Sequence, residues 1–327
     1  MSRGLGDVYK RQDDKLDLSD YNSNILNAGV YEGKRYYLPV VFEPQILLTS
    51  SVEFSKYSDD NAESKLTYDG VVTLNNNILK DRTNNRFFYD SEDYKRILLN
   101  YIDEHVDLYS QKCNFDSENF MESITSLKEF CNSNENKTDE IVPIFSVSGQ
   151  YELFALYDEI AAIDNDGDKP LITNMPNQDG APIGKIMDAI FINNNSNNKQ
   201  KILKFIKYAL SEKVQSDYCG ANIKNYEPGT SWGTGWEYPV NNQSYDSLFN
   251  KAQAVKYIDN TTSVSESDFM YAKNYIDKIK EYKLCGLYDY YNTEVIGSTV
   301  DKFLSGEFNK NKFLKELKSR TEIYLDE

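Results

Sequence analysis

The chain has 327 residues, and its 36 Lys and Arg against 52 Asp and Glu leave a net charge of −16. At roughly 150 residues per domain, this length predicts two domains with enough chain to bury real cores. The negative field repels phosphate backbones and anionic lipid headgroups, so nucleic acid is disfavoured as the main partner. Its single histidine, His105, removes His-cluster metal sites, and we expect neither a metal nor a cofactor.

The first twelve residues, MSRGLGDVYKRQ, are treated apart from the fold. The stretch from Asp7 to Gln12 looks like a sequencing adapter translated in frame, and such scars are excluded from fold reasoning. We therefore predict that residues 1–12 are a disordered scar and that the natural protein begins upstream of Asp13. A genuine polar tail is the alternative.

The first half of the chain alternates short strands and helices. Residues 36–42 and 46–50 are β-branched or aromatic runs that predict two strands flanking a turn at Glu43 and Pro44. Residues 68–74 predict another strand. Further along, apolar residues at helical spacing predict helices over 91–111, 117–131 and 149–162, with an apolar strand over 141–147.

The second half is predicted to become mainly helical. Residues 186–192 predict a strand, and 197–218 predict an amphipathic helix with Ser196 as its N-cap. The predicted buried face of that helix is made of Ile202, Phe205, Ile206, Ala209, Leu210 and Val214. Helices are also predicted over 244–257, 265–283, 292–304 and 309–324, the second with Ser265 and Asp268 as a capping pair. The pattern indicates the α/β class.

Three groups of residues have the types that carry chemistry, but their spacing argues against it. Asp164 to Asp168 (DNDGD) resembles the opening of a calcium loop, yet glycine is fourth rather than sixth, and Met175 occupies the twelfth place. The four cysteines are too widely spaced for a zinc site, so we expect free thiols or one optional bridge. His105 is expected to be a solvated or locally paired helix residue.

The loop of residues 229–238 (GTSWGTGWEY) places Trp232 and Trp236 among glycines, where burial as ordinary core is awkward. Both a ligand-facing role and a structural cap remain open for these two rings. Glu43 is the only acid that the pattern places between strand ends. A glycosidase needs a second carboxylate facing it, and no motif nominates one.

Several segments, in the same order along the chain, resemble bacterial extracellular solute-binding protein family 1, in the carbohydrate-binding branch typified by maltose-binding protein. Residues 186–218 match its strand, its I-N-x-x-S-x-N segment and its helix ending near L-S-x-x-V-Q. The other matching segments are 32–43 (G-K-x-Y-x-L-P), 148–153 (G-P-W), 175–184 (P-x-x-x-G), 239–241 (P-V-N) and the helical tail 303–327. The aromatic of G-P-W is here Tyr151, preceded by Gln150.

The resemblance implies a two-lobed, periplasmic-binding-protein-like (type II) α/β fold with a helical C-terminal tail and an incomplete amino-terminal lobe. Residues 13–45 with about 186–250 would form that lobe and the hinge. Residues 46–185 with about 251–327 would form the carboxy-terminal lobe and the C-terminal helices.

The resemblance also implies a function. The protein would capture a sugar or oligosaccharide between its lobes and deliver it to the membrane permease subunits of an ABC importer. It would act as a monomer without catalysis, lipid-anchored at the extracellular face of the membrane or periplasmic. The alternatives are a glycoside-active enzyme using Glu43 and the ligand-binding module of a sensor system.

The resemblance nominates ligand-binding residues as well. Glu43 would accept hydroxyl hydrogen bonds, and Tyr151, beside Gln150, would stack on a sugar ring. Weaker nominations come from aromatic loops, namely Trp232, Trp236 and one of Tyr288, Tyr290 or Tyr291.

Overall fold

The structure is a computed structural model that describes residues 17–58, 65–81, 84–133, 141–146, 153–191, 196–219, 237–257 and 262–326. Its strands are β1 (Val30–Tyr31), β2 (Lys34–Arg35), β3 (Leu38–Ser50), β4 (Asn85–Arg86), β5 (Val106–Asp107), β6 (Lys112–Cys113), β7 (Val142–Pro143), β8 (Pro170–Asn174), β9 (Ile183–Ile190), β10 (Tyr238–Pro239) and β11 (Glu281–Leu284). The predicted 1–12 scar lies outside the described residues.

The helices occupy more of the described chain than the strands. They are α1 (Ser23–Asn27), α2 (Ser51–Ser55), α3 (Tyr68–Lys80), α4 (Ser91–Asp103), α5 (Glu118–Asn132), α6 (Leu153–Asn165), α7 (Lys199–Ala209), α8 (Glu212–Tyr218), α9 (Asn242–Ala254), α10 (Glu266–Asp277), α11 (Cys285–Tyr290), α12 (Gly297–Leu304) and α13 (Lys310–Asp326). A π-helix, Tyr291–Val295, separates α11 from α12. Among the described residues, no helix has the length and apolar content to cross a membrane.

The main sheet has the strand order β10-β3-β9-β11, and β8 also pairs with β3. β3 runs antiparallel to β9, with Glu43 opposite Lys185, and β11 runs parallel to β9. A mixed sheet flanked by helices confirms the predicted α/β class.

The described chain divides into two compact units. The first takes its residues from the ranges 1–46, 148–172 and 182–285, and the second takes its residues from 47–147, 173–181 and 286–327. The predicted lobes place residues 46, 153–172, 182–185, 251–257 and 262–285 differently, because α6, the start of β9, the end of α9, α10 and β11 join the first unit here. Within the described residues, the chain passes between units within β3, within β8, just before β9 and at the start of α11.

A tight hairpin precedes the main sheet in the first unit. β1 and β2 are joined by Glu32 and Gly33, whose φ angles are 49° and 72°. Two positive φ values in succession are the type I′ turn, which matches the right-handed twist of the strands it joins. The Gly29 nitrogen donates to Leu26 O and the Gly29 oxygen accepts from Tyr36 N at 2.7 Å, which fixes the hairpin to α1.

The turn predicted at Glu43 and Pro44 is wrong, because β3 runs unbroken from Leu38 to Ser50. A proline fits within a strand where its missing N–H is not needed by the ladder. β9 pairs with Pro44 through Gly184, whereas β10 pairs with β3 at Val41 and Phe42. The two predicted strands are therefore one.

The strand predicted over 68–74 is also wrong, since these residues begin α3. Thr67 caps that helix by accepting a hydrogen bond from Gly70 N at 3.1 Å. Tyr68, Val71 and Leu74 are buried at a spacing of three, which is helical rather than strand periodicity. The apolar residue types favour a strand, but their spacing decides for a helix.

Four helix predictions overrun the observed ends. Residues 91–111 give α4 followed by the β5–β6 hairpin, and 265–283 give α10 followed by β11. Residues 197–218 divide into α7 and α8 because Ser211 is extended, with its hydroxyl donating to Tyr208 O. Residues 292–304 begin in the π-helix. Ser196 accepts a bond from Asn198 N, and Asn198, rather than Ser196, is the N-cap of α7.

Other elements are confirmed with small shifts of their ends. α5 begins after its cap Ser117, α10 begins after its cap Ser265, and α9 and α13 match the predicted helices to within a few residues. The strand predicted over 141–147 is reduced to β7 and a bridge between Ser146 and Leu48. The predicted helix over 149–162 is α6 where it is described.

The Asp-rich run 164–168 terminates α6. Gly167 has a φ of 81°. Asp168 N donates to Ile163 O at 3.2 Å, which closes the last helical turn. Gly167, the fourth residue of this run, therefore belongs to the C-terminal end of a helix. This agrees with the sequence pattern, in which a glycine in the fourth place departs from a calcium loop.

His105 is locally paired, as expected for a helix-end histidine. Its Nδ1 lies 2.9 Å from Tyr101 O, and its ring packs against Phe120. Cys113, Cys131 and Cys219 are free thiols, and the Cys285 side chain lies outside the description.

Candidate functional site

Glu43 lies in the interior of β3 in the first unit. Only 5% of the residue is exposed, and it faces Lys185 across the strand pair. Gly184 also adjoins it, because a Cβ there would stand 3.2 Å from the Glu43 carbonyl oxygen. A buried carboxylate on a sheet is a costly feature that needs hydrogen bonding. The ligand-binding role of Glu43 stays a prediction.

The preceding residue, Phe42, anchors an aromatic cluster in the first unit. Its ring lies 5.3 Å from Tyr238 and 5.4 Å from Tyr282, centroid to centroid. Tyr245 also stacks on Phe42, and its hydroxyl donates to Asp277 Oδ1 at 2.7 Å. Burial, with the nearby Asp277 charge, raises the pKa of Tyr245 above its usual value. These tyrosines serve the core rather than a ligand.

Two of the segments that resemble the solute-binding family bond to each other through Gln215. Its Oε1 accepts from Val240 N at 2.9 Å and from Asn241 N at 3.2 Å, while its Nε2 donates to Val40 O at 2.9 Å. Asn241 in turn caps α9 by accepting from Ser244 N. The V-Q and P-V-N segments therefore hold α8, β3, β10 and α9 together, and their role is structural.

Beside this network, the first unit brings together two acids and a phenol that the sequence analysis missed. Asp188 lies on β9 opposite Val41, and Glu237 directly precedes β10, which pairs with β3 at the same place. Tyr218 donates from its hydroxyl to Asp188 Oδ2 at 2.8 Å, and 47% of Tyr218 is exposed. The signal available in the sequence was an acid within the apolar strand IMDAI.

Glu237 is the half-buried acid of this group, which we call the Asp188–Tyr218–Glu237 site. Burial, followed by the charge of Asp188, raises the pKa of Glu237 above its ordinary value. Burial and the bond to Asp188 raise the pKa of Tyr218, so its hydroxyl stays protonated and able to donate. The site thus offers carboxylate acceptors and one phenol at the surface of the first unit.

We expect Glu237→Gln to stabilise the protein at pH 7. A raised pKa in the folded state means that folding binds the proton, so the stability from Glu237 is present below its unfolded pKa, near 4.3, and is lost as the pH rises through the folded pKa. Because the group is partly exposed, the gain should be below about 1 kcal/mol. Urea unfolding at pH 7 and at about pH 4 measures it.

The matched control is Glu129→Gln, which removes the same charge from an exposed position on α5. Glu129→Gln should change the free energy of unfolding at pH 7 by less than Glu237→Gln does. This change should not decrease at the lower pH as the change for Glu237→Gln does. Equal curves for the two variants would contradict the assigned coupling of Glu237 to Asp188.

The three nominated tyrosines of the second unit have different environments. Tyr291 is fully buried, and its hydroxyl lies 2.6 Å from Thr321 Oγ1, so its ring fills the core. Tyr290 is 57% exposed and lies 6.2 Å from the Tyr324 ring. Tyr288 is half-buried, and burial followed by the charge of Asp103 raises its pKa. Of the three, Tyr288 and Tyr290 are therefore the two that remain accessible to solvent.

The P-x-x-x-G segment forms a loop held by Asn177 in the second unit. Its Oδ1 accepts from Asp179 N and Ala181 N, and its Nδ2 donates to Ala181 O at 2.7 Å. Gly180 has a φ of 63°, and a Cβ there would stand 2.8 Å from Lys65 Cβ. The segment is a structural turn. The remaining nominations, Gln150, Tyr151, Trp232 and Trp236, lie outside the described residues.

This architecture is the two-lobed, periplasmic-binding-protein-like fold that the sequence resemblance predicts. No protein-family profile matches the chain, and no curated protein matches it. The assignment therefore comes from solved structures.

Three solved structures illustrate the likeness. The sugar-binding protein MalE from the phytopathogen Xanthomonas citri has a TM-score of 0.59 at 13% identity, over 98% of this chain and 79% of that chain. A periplasmic oligogalacturonide binding protein from Yersinia enterocolitica has 0.58 at 12%, over 97% and 79%. A de novo designed cysteine esterase has 0.55 at 11%, over 98% and 79%. At such identities the likeness shows the fold.

Proposed function

We propose that the protein is a solute-binding protein that captures a sugar or oligosaccharide and delivers it to the permease subunits of an ABC importer. The observation that carries this is the Asp188–Tyr218–Glu237 site on a fold shared with sugar-binding proteins. Sugars present many hydroxyl groups. A carboxylate accepts hydrogen bonds from these groups, and a phenol can either donate to them or accept from them. Tyrosine adds a ring that packs on the C–H face of a sugar.

The charge of the site favours neutral sugars. Asp188 and Glu237 are both acids. A third carboxylate, that of Glu43, belongs to β3 two residues after Val41, the residue that pairs with Asp188. A uronic acid would bring a like charge to this group, and like charges in a partly desolvated site cost affinity. The proposed ligand is therefore a neutral oligosaccharide, although the fold also serves an oligogalacturonide binding protein.

Titration calorimetry of the full chain against neutral malto-oligosaccharides and oligogalacturonides tests this proposal. We expect saturable binding of a neutral sugar, with a dissociation constant on the order of micromolar. Glu237→Gln should weaken that binding by about tenfold, because a hydrogen bond to a charged group contributes about 1.5–3 kcal/mol. Glu129→Gln, on the exposed face of α5, should leave it unchanged.

The alternatives have their own outcomes. Release of a shortened glycan by the pure protein would identify the glycoside-active enzyme that uses Glu43. Binding of uronic acids in preference to neutral sugars would overturn the proposed site. Absence of binding across both glycan classes would contradict the sugar-binding proposal as a whole.

The remaining parts of the proposal concern location and partners. We place the protein as a monomer at the extracellular face of the membrane, lipid-anchored, or in the periplasm. Support comes from the binding proteins that share its fold, one of which is described as periplasmic. Gln150, Tyr151, Trp232 and Trp236 stay predicted ligand contacts, as do Glu43, Tyr288 and Tyr290.

A further inference from the structure

The exposed side of α7 combines lysines with aromatic rings. Lys201, Lys204 and Lys207 are exposed, and so are Phe205 (58%) and Tyr208 (65%). The prediction that Phe205 belongs to the buried face with Ile206 is therefore wrong. Large aromatic side chains that are exposed to this extent and lie next to one another need an explanation. We call Lys201, Lys204, Phe205 and Tyr208 the α7 face.

Helix geometry explains why Phe205 is outside. Leu203 and Ile206 are buried, and successive residues advance by 100° around the helix. Phe205 therefore lies about 160° from Leu203 and shares its side of α7 with Lys201 and Tyr208. Lys204 lies about 100° from Leu203, whereas Lys207 lies only about 40° from Leu203, beside the buried stripe, and is not part of the α7 face. The buried stripe is narrower than the sequence pattern predicts, and the face opposite carries two lysines and two aromatic rings.

The charge of the α7 face is opposite to that of the molecule. No acid occurs from residue 189 to residue 211 in a chain whose net charge is −16. The ammonium groups of Lys201 and Lys204 take part in none of the ion pairs found among the described residues.

We propose that the α7 face binds an anionic lipid bilayer surface. Lysines attract anionic headgroups, and neighbouring aromatic rings enter the interfacial layer, where their apolar bodies and polar edges are both accommodated. The overall negative charge does not prevent this, since at physiological salt charges are screened beyond about 8 Å. Only the side of the molecule that meets the membrane determines the attraction.

A bilayer fits this face better than an acidic protein does. The face is the convex side of a single helix, Lys199–Ala209, and the two rings project beyond its backbone. A protein partner would need a groove complementary to these rings, whereas a fluid headgroup layer adapts to them. The inference does not depend on sugar binding, since none of its residues belongs to the Asp188–Tyr218–Glu237 site.

Co-sedimentation of the full chain with phosphatidylcholine vesicles containing about a third phosphatidylglycerol tests the proposal. We expect binding at about 0.15 M NaCl that is absent from pure phosphatidylcholine vesicles and is suppressed at about 0.5 M NaCl. The double variant K201Q, K204Q should weaken the partition by about thirtyfold, given the contribution of about 1 kcal/mol from each lysine at an anionic surface. The double variant F205S, Y208S should weaken it several-fold.

The matched control replaces two lysines of α13, Lys310 and Lys315, by glutamine. It produces the same change in net charge in the second unit. The proposal requires this variant to bind vesicles as the wild type does. An equal loss in the control, equally strong binding of the wild type to pure phosphatidylcholine, or no binding by the wild type would overturn it. Unchanged circular dichroism shows that each variant is folded.

Discussion

Replacing Gln215 by alanine is expected to lower the free energy of unfolding by about 4 kcal/mol, because two buried backbone N–H groups and one part-buried carbonyl lose their partner, and each buried group costs about 1–3 kcal/mol. Gln215 is 1% exposed. Its amide joins Val40 of β3 to Val240 and Asn241 around β10. Urea unfolding followed by circular dichroism measures the loss.

Two further variants make the Gln215 prediction sharper. Gln200→Ala, at an exposed position on α7, should change stability by less than about 0.5 kcal/mol. Gln215→Glu keeps an acceptor for Val240 N but buries a charge, so its stability should recover partly as the pH falls and the carboxyl is protonated. A Gln215→Ala loss as small as that of Gln200→Ala would show that the network contributes little.

A second large effect is expected for Gly29→Ala. A Cβ on Gly29 would stand 2.0 Å from the Tyr37 carbonyl oxygen, which belongs to the backbone and cannot rotate away. The chain must move, and this strains the bonds from Tyr36 N to Gly29 O and from the Tyr37 hydroxyl to Ala28 O. We expect a loss of about 3 kcal/mol, at the upper end for overpacking.

Gly33→Ala is the matched comparison for Gly29→Ala, since both glycines belong to the same hairpin region. Gly33 has a φ of 72°, but a Cβ added to it would meet no other atom within 4 Å. Its cost is the left-handed backbone alone, about 1–2 kcal/mol. Thermal unfolding should therefore rank Gly29→Ala well below Gly33→Ala. The reverse order would show that the backbone around Tyr37 adapts freely.

The elements that could be predicted from the sequence are those with local signals. Ser117 and Ser265 mark the starts of α5 and α10 in the sequence, because capping depends on a few adjacent residues. The sequence pattern divides β3 because Pro44 is a turn residue in isolation, and its acceptability depends on β9, which lies about 140 residues away. Local chemistry specifies a helix start, whereas strand continuity depends on distant partners.

The candidate site shows the same limit more strongly. Glu43 could be nominated because it lies between two predicted strand ends and because the family resemblance implies a ligand-binding role there. Asp188 and Glu237 could not be paired, because β9 and β10 meet only through β3. Likewise, Phe205 fits the apolar face that the helical spacing predicts. Only the burial of Leu203 and Ile206 shows that Phe205 lies on the solvent side of the helix.

The position of β3 in its sheet has a consequence for synthesis. Its neighbour β9 lies far downstream, and β11, which completes that side, ends at Leu284. At about 5–20 residues per second, a ribosome needs on the order of tens of seconds to make the intervening chain. Until β8 and β9 have been made, this thirteen-residue strand has none of its sheet partners. Pro39, Glu43 and Pro44 interrupt it with the residue types that hinder pairing between nascent chains.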